Sequence, residues 1–147
     1  MRYLHRLVAT LFYIGYIPFA PGTVGSLAAL FLYYFVKDNL WLFGISIIIS
    51  LFLGLASAGK VERLSGSKDT RVIIIDEFTG MLLSLYLLPV SIGYIVSAFL
   101  LFRFFDIVKP APIKRLEKLP GGLGIMLDDL MAAVYTNLVL QIVYRLL

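Results

Sequence analysis

The stretch RFFDIVKPAPIKRLEKLPGGLGIMLDD (residues 103–129) decides the fold, because it is a polar segment enclosed by apolar ones. It contains Asp106, a lysine beside a proline pair, a glycine pair, and the acidic pair Asp128 and Asp129, which opens an apolar helix. Acids at the rim of apolar segments stabilise a fold poorly, but they are suited to binding a divalent cation. The stretch therefore predicts a cation-binding polar end on an apolar protein.

The composition indicates an integral membrane protein of one domain, residues 1–147. The chain is 61% apolar and 15% charged, whereas a soluble domain has about 25% charged residues. Its net charge of +4 lies in polar loops, which fits an anionic lipid leaflet better than nucleic acid. The absence of cysteine excludes thiolate chemistry, and the single histidine, His5, lies in a basic N-terminus that suggests an interfacial position.

The first half of the chain predicts three helices. Residues 3–14 are expected to form a short helix in the membrane interface, before the loop YIPFAPGT. A second helix is expected to start at Thr23, a candidate N-cap, and to end at Val36. Residues 40–59 carry no charge and are the clearest membrane span. They are followed by Lys60, Glu62, Arg63 and the loop SGSKDT.

The second half predicts a helical hairpin and a last helix. The β-branched run at residues 72–75 is expected to lead into a helix at residues 76–88. Pro89 then allows a turn, and the chain returns along residues 91–108. A hairpin keeps the basic loops before and after it on one side of the membrane, which the positive-inside rule makes cytoplasmic. The last helix is expected at residues 125–146, after a polar loop at residues 109–124.

Five of the nine acids lie at helix ends or just inside apolar segments: Asp76, Glu77, Asp106, Asp128 and Asp129. Helix capping could explain each pair alone, and an ion pair with Arg103 could explain Asp106. Clustered acids repel one another, however, unless a cation lies among them. Hard oxygen ligands without histidine or cysteine favour Mg²⁺, with Mn²⁺ as an alternative.

An anion site is predicted beside these acids. Arg103 and Lys109 bracket Asp106 in the sequence. Gly121 and Gly122 precede one helix and Thr23 precedes another, and free N–H groups at helix N-termini can bind phosphate. Glycine-rich turns are mostly only turns, so each pattern alone is weak. A cation site beside an anion site is nevertheless the usual equipment for phosphoryl chemistry.

Three blocks of the sequence resemble the motifs of the phosphatidylglycerophosphatase A family. They are PFAPGTVGSLAAL, VIIIDEFTG and RFFDIVKPAPI…GGLGIMLDD, in the family's order and over nearly the whole chain. The resemblance implies an all-helical, Mg²⁺-dependent bacterial membrane enzyme. Such an enzyme removes the terminal phosphate of phosphatidylglycerophosphate to give phosphatidylglycerol. The family's acidic positions fall on the five acids above, and its basic position falls on Lys109.

These observations lead to a hypothesis of metal-assisted phosphomonoester hydrolysis at the cytoplasmic face of the bacterial inner membrane. All five acids are expected to bind the metal, and Asp76, Asp106, Lys109 and Asp129 are expected to be catalytic. The expected phosphate ligands are Arg103, Lys109, Thr23, Gly121 and Gly122. One carboxylate acts as general base, or Asp76 or Asp106 forms a phospho-aspartate; the sequence leaves both routes open.

Two other functions fit parts of the pattern. A CDP-alcohol phosphatidyltransferase is also helical, Mg²⁺-dependent and rich in aspartate, but its DGxxAR…GxxxDxxxD spacing is absent. A cation transporter would use acids as ligands, but it favours acids near the middle of helices and a paired repeat. Phosphate release from a lipid phosphate distinguishes both from the main hypothesis.

Overall fold

The computed structural model describes residues 2–66 and 71–147, which form seven α-helices and contain no strand. The helices are α1 (Arg2–Ala9), α2 (Pro21–Val36), α3 (Leu40–Ser65), α4 (Ile75–Leu85), α5 (Ile92–Val108), α6 (Ile113–Leu116) and α7 (Gly122–Leu146). The predicted all-helical fold is confirmed. Within the described ranges, α3 and α7 are long and apolar enough to cross a membrane, judged by length and composition.

The short helix α4 lies at the centre of the bundle, in contact with α2, α3, α5 and α7. The larger apolar cluster includes Tyr33 of α2, Phe43 of α3, Leu82 of α4 and Phe102 of α5. A smaller cluster joins the end of α1, the second half of α3, and the starts of α4 and α7, and it includes Ala9, Ile75 and Met126. The starts of α4 and α7 are therefore supported by apolar packing. Asp76 and Glu77 lie in the first turn of α4, and Asp128 and Asp129 lie about two turns into α7.

The hairpin predicted around Pro89 is confirmed, because α4 and α5 are consecutive helices that pack together. The helix α5 begins where expected, with the Ser91 hydroxyl accepting a hydrogen bond from Tyr94 N at 3.3 Å. The first arm was predicted to reach residue 88, but α4 ends at Leu85. The reason is local, since Leu87 has a left-handed φ of 61° that no helix can contain.

Two predicted helix boundaries near the N-terminus are wrong. The first helix was expected over residues 3–14, but α1 ends at Ala9, because a left-handed turn begins at Leu11 (φ 47°). The second helix begins at Pro21, so Thr23 lies in its first turn and is not the N-cap. Proline suits the first helical position because the missing N–H would have no partner there. The interfacial position of α1 stays a prediction.

The helix α3 extends past the predicted end at residue 59 to Ser65, so Lys60, Glu62 and Arg63 are helical. It ends at Gly66, whose left-handed φ of 69° is typical of a helix C-terminus. Most of the predicted loop SGSKDT, residues 67–70, lies outside the described residues.

The polar loop predicted at residues 109–124 is partly helical. It contains the four-residue helix α6, and α7 begins at Gly122, three residues earlier than expected. Gly122 lies against α3, where an added Cβ would come within 2.8 Å of Leu55 O and 3.0 Å of Gly59 N. Close packing of α3 and α7 thus explains the glycine at the start of the last helix.

Candidate active site

Three of the five predicted acids form a tight cluster between α4 and α7. Asp76 and Glu77 lie in the first turn of α4, and Asp129 lies two turns into α7 and is only 3% exposed. One carboxylate oxygen from each lies within 4.8 Å of the other two. Among the described residues, Asp76 Oδ1, Glu77 Oε2 and Asp129 Oδ2 are buried without a hydrogen-bond partner. Buried charged oxygens without partners are costly, so this cluster is built for a ligand that the chain does not supply.

Asp106 lies at the edge of the cluster and holds an arginine. Its Oδ2 accepts a hydrogen bond of 2.6 Å from Arg103 Nη1, one turn earlier on α5. Both side chains are largely buried, which makes the pair stronger than an exposed one. The ion pair considered as the simple explanation of Asp106 is therefore present, and it fixes a guanidinium beside the acid cluster.

Asp128 forms an ion pair with Lys109. Lys109 Nζ donates to Asp128 Oδ2 and to Glu117 Oε1, each at 2.9 Å. Burial alone would lower the pKa of Lys109, but the bonds to Asp128 and Glu117 outweigh it and raise that pKa. Asp128 Oδ1 also accepts from Asp129 N at 3.0 Å. Lys109 thus fixes the backbone from which Asp129 projects.

A cavity of about 490 Å³ opens beside the acid cluster. The chain supplies two carboxylates to its wall, Asp76 and Glu77, and two guanidinium groups, Arg71 and Arg103. The remaining wall is mainly the apolar segment at residues 15–22. The volume is within the usual range for a small-molecule site. Acids, arginines and an apolar wall together suit an anionic headgroup that is attached to something apolar.

A second cavity of about 360 Å³ lies on the other side of Asp76. Its wall includes Asp128, Glu117, Glu62 and Lys118. Asp76 is therefore shared by a cavity with two arginines and a cavity with mainly acidic groups. The first of these is the better place for a phosphate, because its cations offset the charge of an anion.

The predicted glycine and threonine phosphate ligands lie away from the first cavity. Gly121 borders the second cavity and has φ 62° with ψ −148°, a conformation that side chains disfavour. Gly122 is explained by its contact with α3. Thr23 borders neither of these two cavities. Their roles as phosphate ligands stay predictions, while packing and backbone geometry already account for both glycines.

Sequence reasoning missed three residues at this site. Gly22 lies so close that a Cβ there would be 2.5 Å from Glu77 Oε1 and 2.9 Å from Arg103 Nη1. Arg71 borders the first cavity, and Glu117 shares Lys109 with Asp128. Gly22 belongs to the PFAPGTVGSLAAL motif, which is the signal that could have found it. No spacing rule connects Glu117 with Lys109 or Arg71 with Arg103.

Comparison with known proteins places this site in a family context. The sequence profile described as phosphatidylglycerophosphatase A matches residues 7–144. A Haemophilus influenzae protein named phosphatidylglycerophosphatase A is 41% identical over 138 residues, 91% of this chain and 85% of its own. An Escherichia coli protein of the same name is 34% identical over 132 residues, 88% of this chain and 77% of its own.

A third relative has a different name. A Bacteroides thetaiotaomicron protein named putative phosphatidylinositol-3-phosphatase is 36% identical over 149 residues, covering 95% of this chain and 93% of its own. No solved structure matches the chain significantly.

Proposed function

The chain belongs to the phosphatidylglycerophosphatase A family, and on this premise we propose that it hydrolyses phosphatidylglycerophosphate to phosphatidylglycerol and phosphate. It is a phosphoric monoester hydrolase. The observation that carries the proposal is that Asp76 and Glu77, whose buried carboxylate oxygens have no partner among the described residues, line a cavity that Arg103 also borders. This arrangement supplies a cation site and an anion site side by side, as phosphoryl transfer requires.

The acid cluster fits Mg²⁺, or Mn²⁺, as a cofactor. Asp76, Glu77 and Asp129 supply hard oxygen donors close together, and each keeps a buried oxygen without a partner in the described chain. Asp106 and Asp128 are the flanking members of the set, each shared with a basic side chain. The chemistry that such a cation supplies when bound is charge neutralisation at the phosphate and activation of water.

The chain's own residues bind and orient the phosphate. Arg103 is held by Asp106 at the cavity, so its guanidinium can meet the phosphate oxygens without reorganising during the reaction. Asp76 borders the cavity, whereas Asp129 lies deeper. Of the acids proposed as catalytic, Asp76 is therefore the one that borders the cavity, where it could accept a proton from water or attack phosphorus, and Asp129 serves as a metal ligand. Lys109 positions Asp128 and Asp129, and its predicted phosphate contact remains a proposal.

The enzyme is proposed to be a multi-pass protein of the bacterial cytoplasmic membrane with the site facing the cytoplasm. Two helices of suitable length and apolarity support the membrane assignment. The end of α3, the end of α5 and the loop around α6 carry basic residues and lie at the end of the bundle that holds the site. The positive-inside rule supports a cytoplasmic position for that end, and a lipid headgroup would reach it sideways from the leaflet.

A second candidate substrate is phosphatidylinositol 3-phosphate. It is suggested by the Bacteroides relative, a protein named putative phosphatidylinositol-3-phosphatase that aligns over 95% of this chain. Both lipids present a phosphate monoester on a polar headgroup, so the same acids and Arg103 would serve either one.

Phosphate release from the two lipids, measured in parallel in mixed micelles, tests the proposal. We expect a higher kcat/KM for phosphatidylglycerophosphate, and loss of activity on both lipids in the Asp129→Asn variant. Higher kcat/KM for the inositol lipid would replace the proposed substrate but keep the site. Turnover of neither lipid by folded protein would contradict the proposed function.

A further inference from the structure

The apolar segment at residues 12–19, which we call the lip, supplies part of the wall of the cavity beside the acid cluster. The lip contains aromatic and aliphatic residues, one glycine and one proline, and it carries no charge. Its inner residues, including Tyr16, Ile17 and Pro18, border the cavity. Two large rings face outward, since Phe12 is 74% exposed and Phe19 is 81% exposed. The lip therefore joins the candidate active site to an exposed apolar surface.

The lip is anchored at its base, next to the segment that leads into α4. Gly15 N donates to Thr10 O at 2.9 Å, and Tyr13 N donates to Thr10 Oγ1 at 3.1 Å. A Cβ at Gly15 would collide with the carbonyl oxygen of Val72, so only glycine allows this approach. Because Val72 lies four residues before Asp76, the lip has a fixed position relative to the acids.

The backbone of this region is strained on both sides of the exposed rings. Leu11, Phe12 and Tyr13 have φ values of 47°, 56° and 67°, and Ala20 has 44°. Left-handed backbone is unfavourable for residues with side chains, and it is retained mainly where function requires it. Here the left-handed turn ends α1 and leaves Phe12 exposed outside the bundle. Packing of the apolar core would not require that exposure.

We propose that the lip is the surface along which the acyl chains of the lipid substrate enter the site. The inference rests on the proposed function, since it specifies how that lipid is held. A cavity of about 490 Å³ accommodates a phosphorylated headgroup but not two long acyl chains as well. The chains must lie outside, at the mouth of the cavity, and the exposed rings of Phe12 and Phe19 supply an apolar surface there.

The chemistry of the lip selects lipid among the possible occupants. Residues 7–36 contain no charged side chain, so the lip offers nothing to an ionic partner. Tyr13 and Tyr16 combine an apolar ring with a polar hydroxyl, which is typical of side chains at a membrane interface. Continuity with the cavity that borders Asp76 and Glu77 connects this surface to the lipid substrate. A second copy of the chain is the competing occupant, and the experiments below separate the two.

Chain-length dependence of the kinetics is the first test. The double variant Phe12→Asn and Phe19→Ser removes both rings, and asparagine tolerates the left-handed conformation at position 12. Phe31→Ser is the matched control, because Phe31 is 72% exposed on α2 and does not border the cavity. For a dioleoyl substrate we expect the lip variant to raise KM about tenfold with kcat unchanged. KM for a dihexanoyl substrate should stay the same, and the control should match wild type on both.

An equal effect on both chain lengths, or no effect on either, would overturn the proposal. If wild-type protein released no phosphate from either lipid, the proposed function would fail, and a binding measurement would then decide the inference alone. Trp41 is the single tryptophan, so Trp41→Phe gives a background for Phe19→Trp in vesicles that contain brominated lipid.

We expect brominated lipid to quench tryptophan at position 19 and to leave Leu119→Trp, in the polar loop, unquenched. Absence of quenching at position 19 would overturn the inference. Light scattering compares the mass of the wild-type assembly with that of the Phe12→Asn and Phe19→Ser variant. A smaller assembly in the variant would show that the lip is a contact between copies of the chain, and it would also overturn the inference.

Discussion

The two ends of the α4–α7 pair differ in whether their buried polar groups are hydrogen-bonded. At one end, Asn137 Nδ2 of α7 lies 3.1 Å from Ser84 O and 2.7 Å from Tyr86 O, where α4 ends and its last carbonyls need donors. At the other end, Asp76, Glu77 and Asp129 keep oxygens without partners in the described chain. The same two helices are therefore satisfied at one end and unsatisfied at the other. The satisfied end stabilises the pair, and the unsatisfied end is the place for chemistry.

The largest expected effect comes from changing the unsatisfied end. Asp129→Asn removes a charge from the acid cluster while keeping the shape of the side chain. We expect kcat to fall at least about a hundredfold, with thermal stability in detergent unchanged or higher, because repulsion among the acids decreases. Asp38→Asn is the control, since the Asp38 side chain is 80% exposed and pairs with Lys37. An Asp129→Asn protein that is folded and turns over normally would contradict the comparison.

The satisfied end should respond in the opposite manner. Asn137→Leu leaves the carbonyls of Ser84 and Tyr86 without their donor, which is expected to destabilise the fold by about 1–3 kcal/mol. The kcat of the remaining folded protein should be unchanged, because Asn137 lies at the other end of the pair. Denaturant unfolding and turnover, measured on one preparation, check both statements. A loss of kcat without a loss of stability would show that the two ends are not independent.

Adding a methyl group at Gly22 is expected to have a smaller effect, and that effect should be on catalysis and not on stability. The added Cβ of Gly22→Ala meets the ends of the Glu77 and Arg103 side chains, which can move with little loss of stability. Their displacement should lower kcat/KM about tenfold, because catalytic groups tolerate small shifts poorly. Gly93→Ala is the matched control, since its Cβ would meet only Ser91 Oγ at 3.8 Å. Equal kcat/KM values for Gly22→Ala and Gly93→Ala would show that Gly22 has no role in the site.

The smallest effect concerns pH and Lys109. Its bonds to Asp128 and Glu117 raise the pKa of Lys109 above the usual value. The stabilising contribution of the pair is therefore fully present below the unfolded pKa of about 10.4, and it is lost only as the pH rises through the higher folded value. Stability should consequently show no loss from this group between pH 7 and 9, while Lys109→Gln should be less stable over that whole range. Unfolding midpoints against pH give the answer, and a midpoint that falls between pH 7 and 9 only in wild type would contradict the assignment.

The sequence predicted the helices and their connections more completely than it predicted the residues of the candidate site. Apolar length predicted α3 and α7, and Pro89 with Ser91 predicted the hairpin, because these signals are local. The left-handed turn after Ala9 was missed, and the segment that follows it packs at Gly15 against Val72, almost sixty residues away, which no local pattern reveals. The acids were found because their chemistry is unusual for apolar helices. Arg71 and Gly22 were missed because their roles arise only when α2, α4 and α5 come together.

The central claim is that the cluster of Asp76, Glu77 and Asp129 holds a divalent cation used for phosphomonoester hydrolysis. The most direct measurement is phosphate release from phosphatidylglycerophosphate in detergent micelles with Mg²⁺, after EDTA, and after Mg²⁺ or Mn²⁺ is restored. We predict that EDTA abolishes phosphate release by wild type and that either cation restores it. The Asp129→Asn variant should release no phosphate under any of these conditions. Release by wild type that continues in EDTA, or that persists in Asp129→Asn, would contradict the claim.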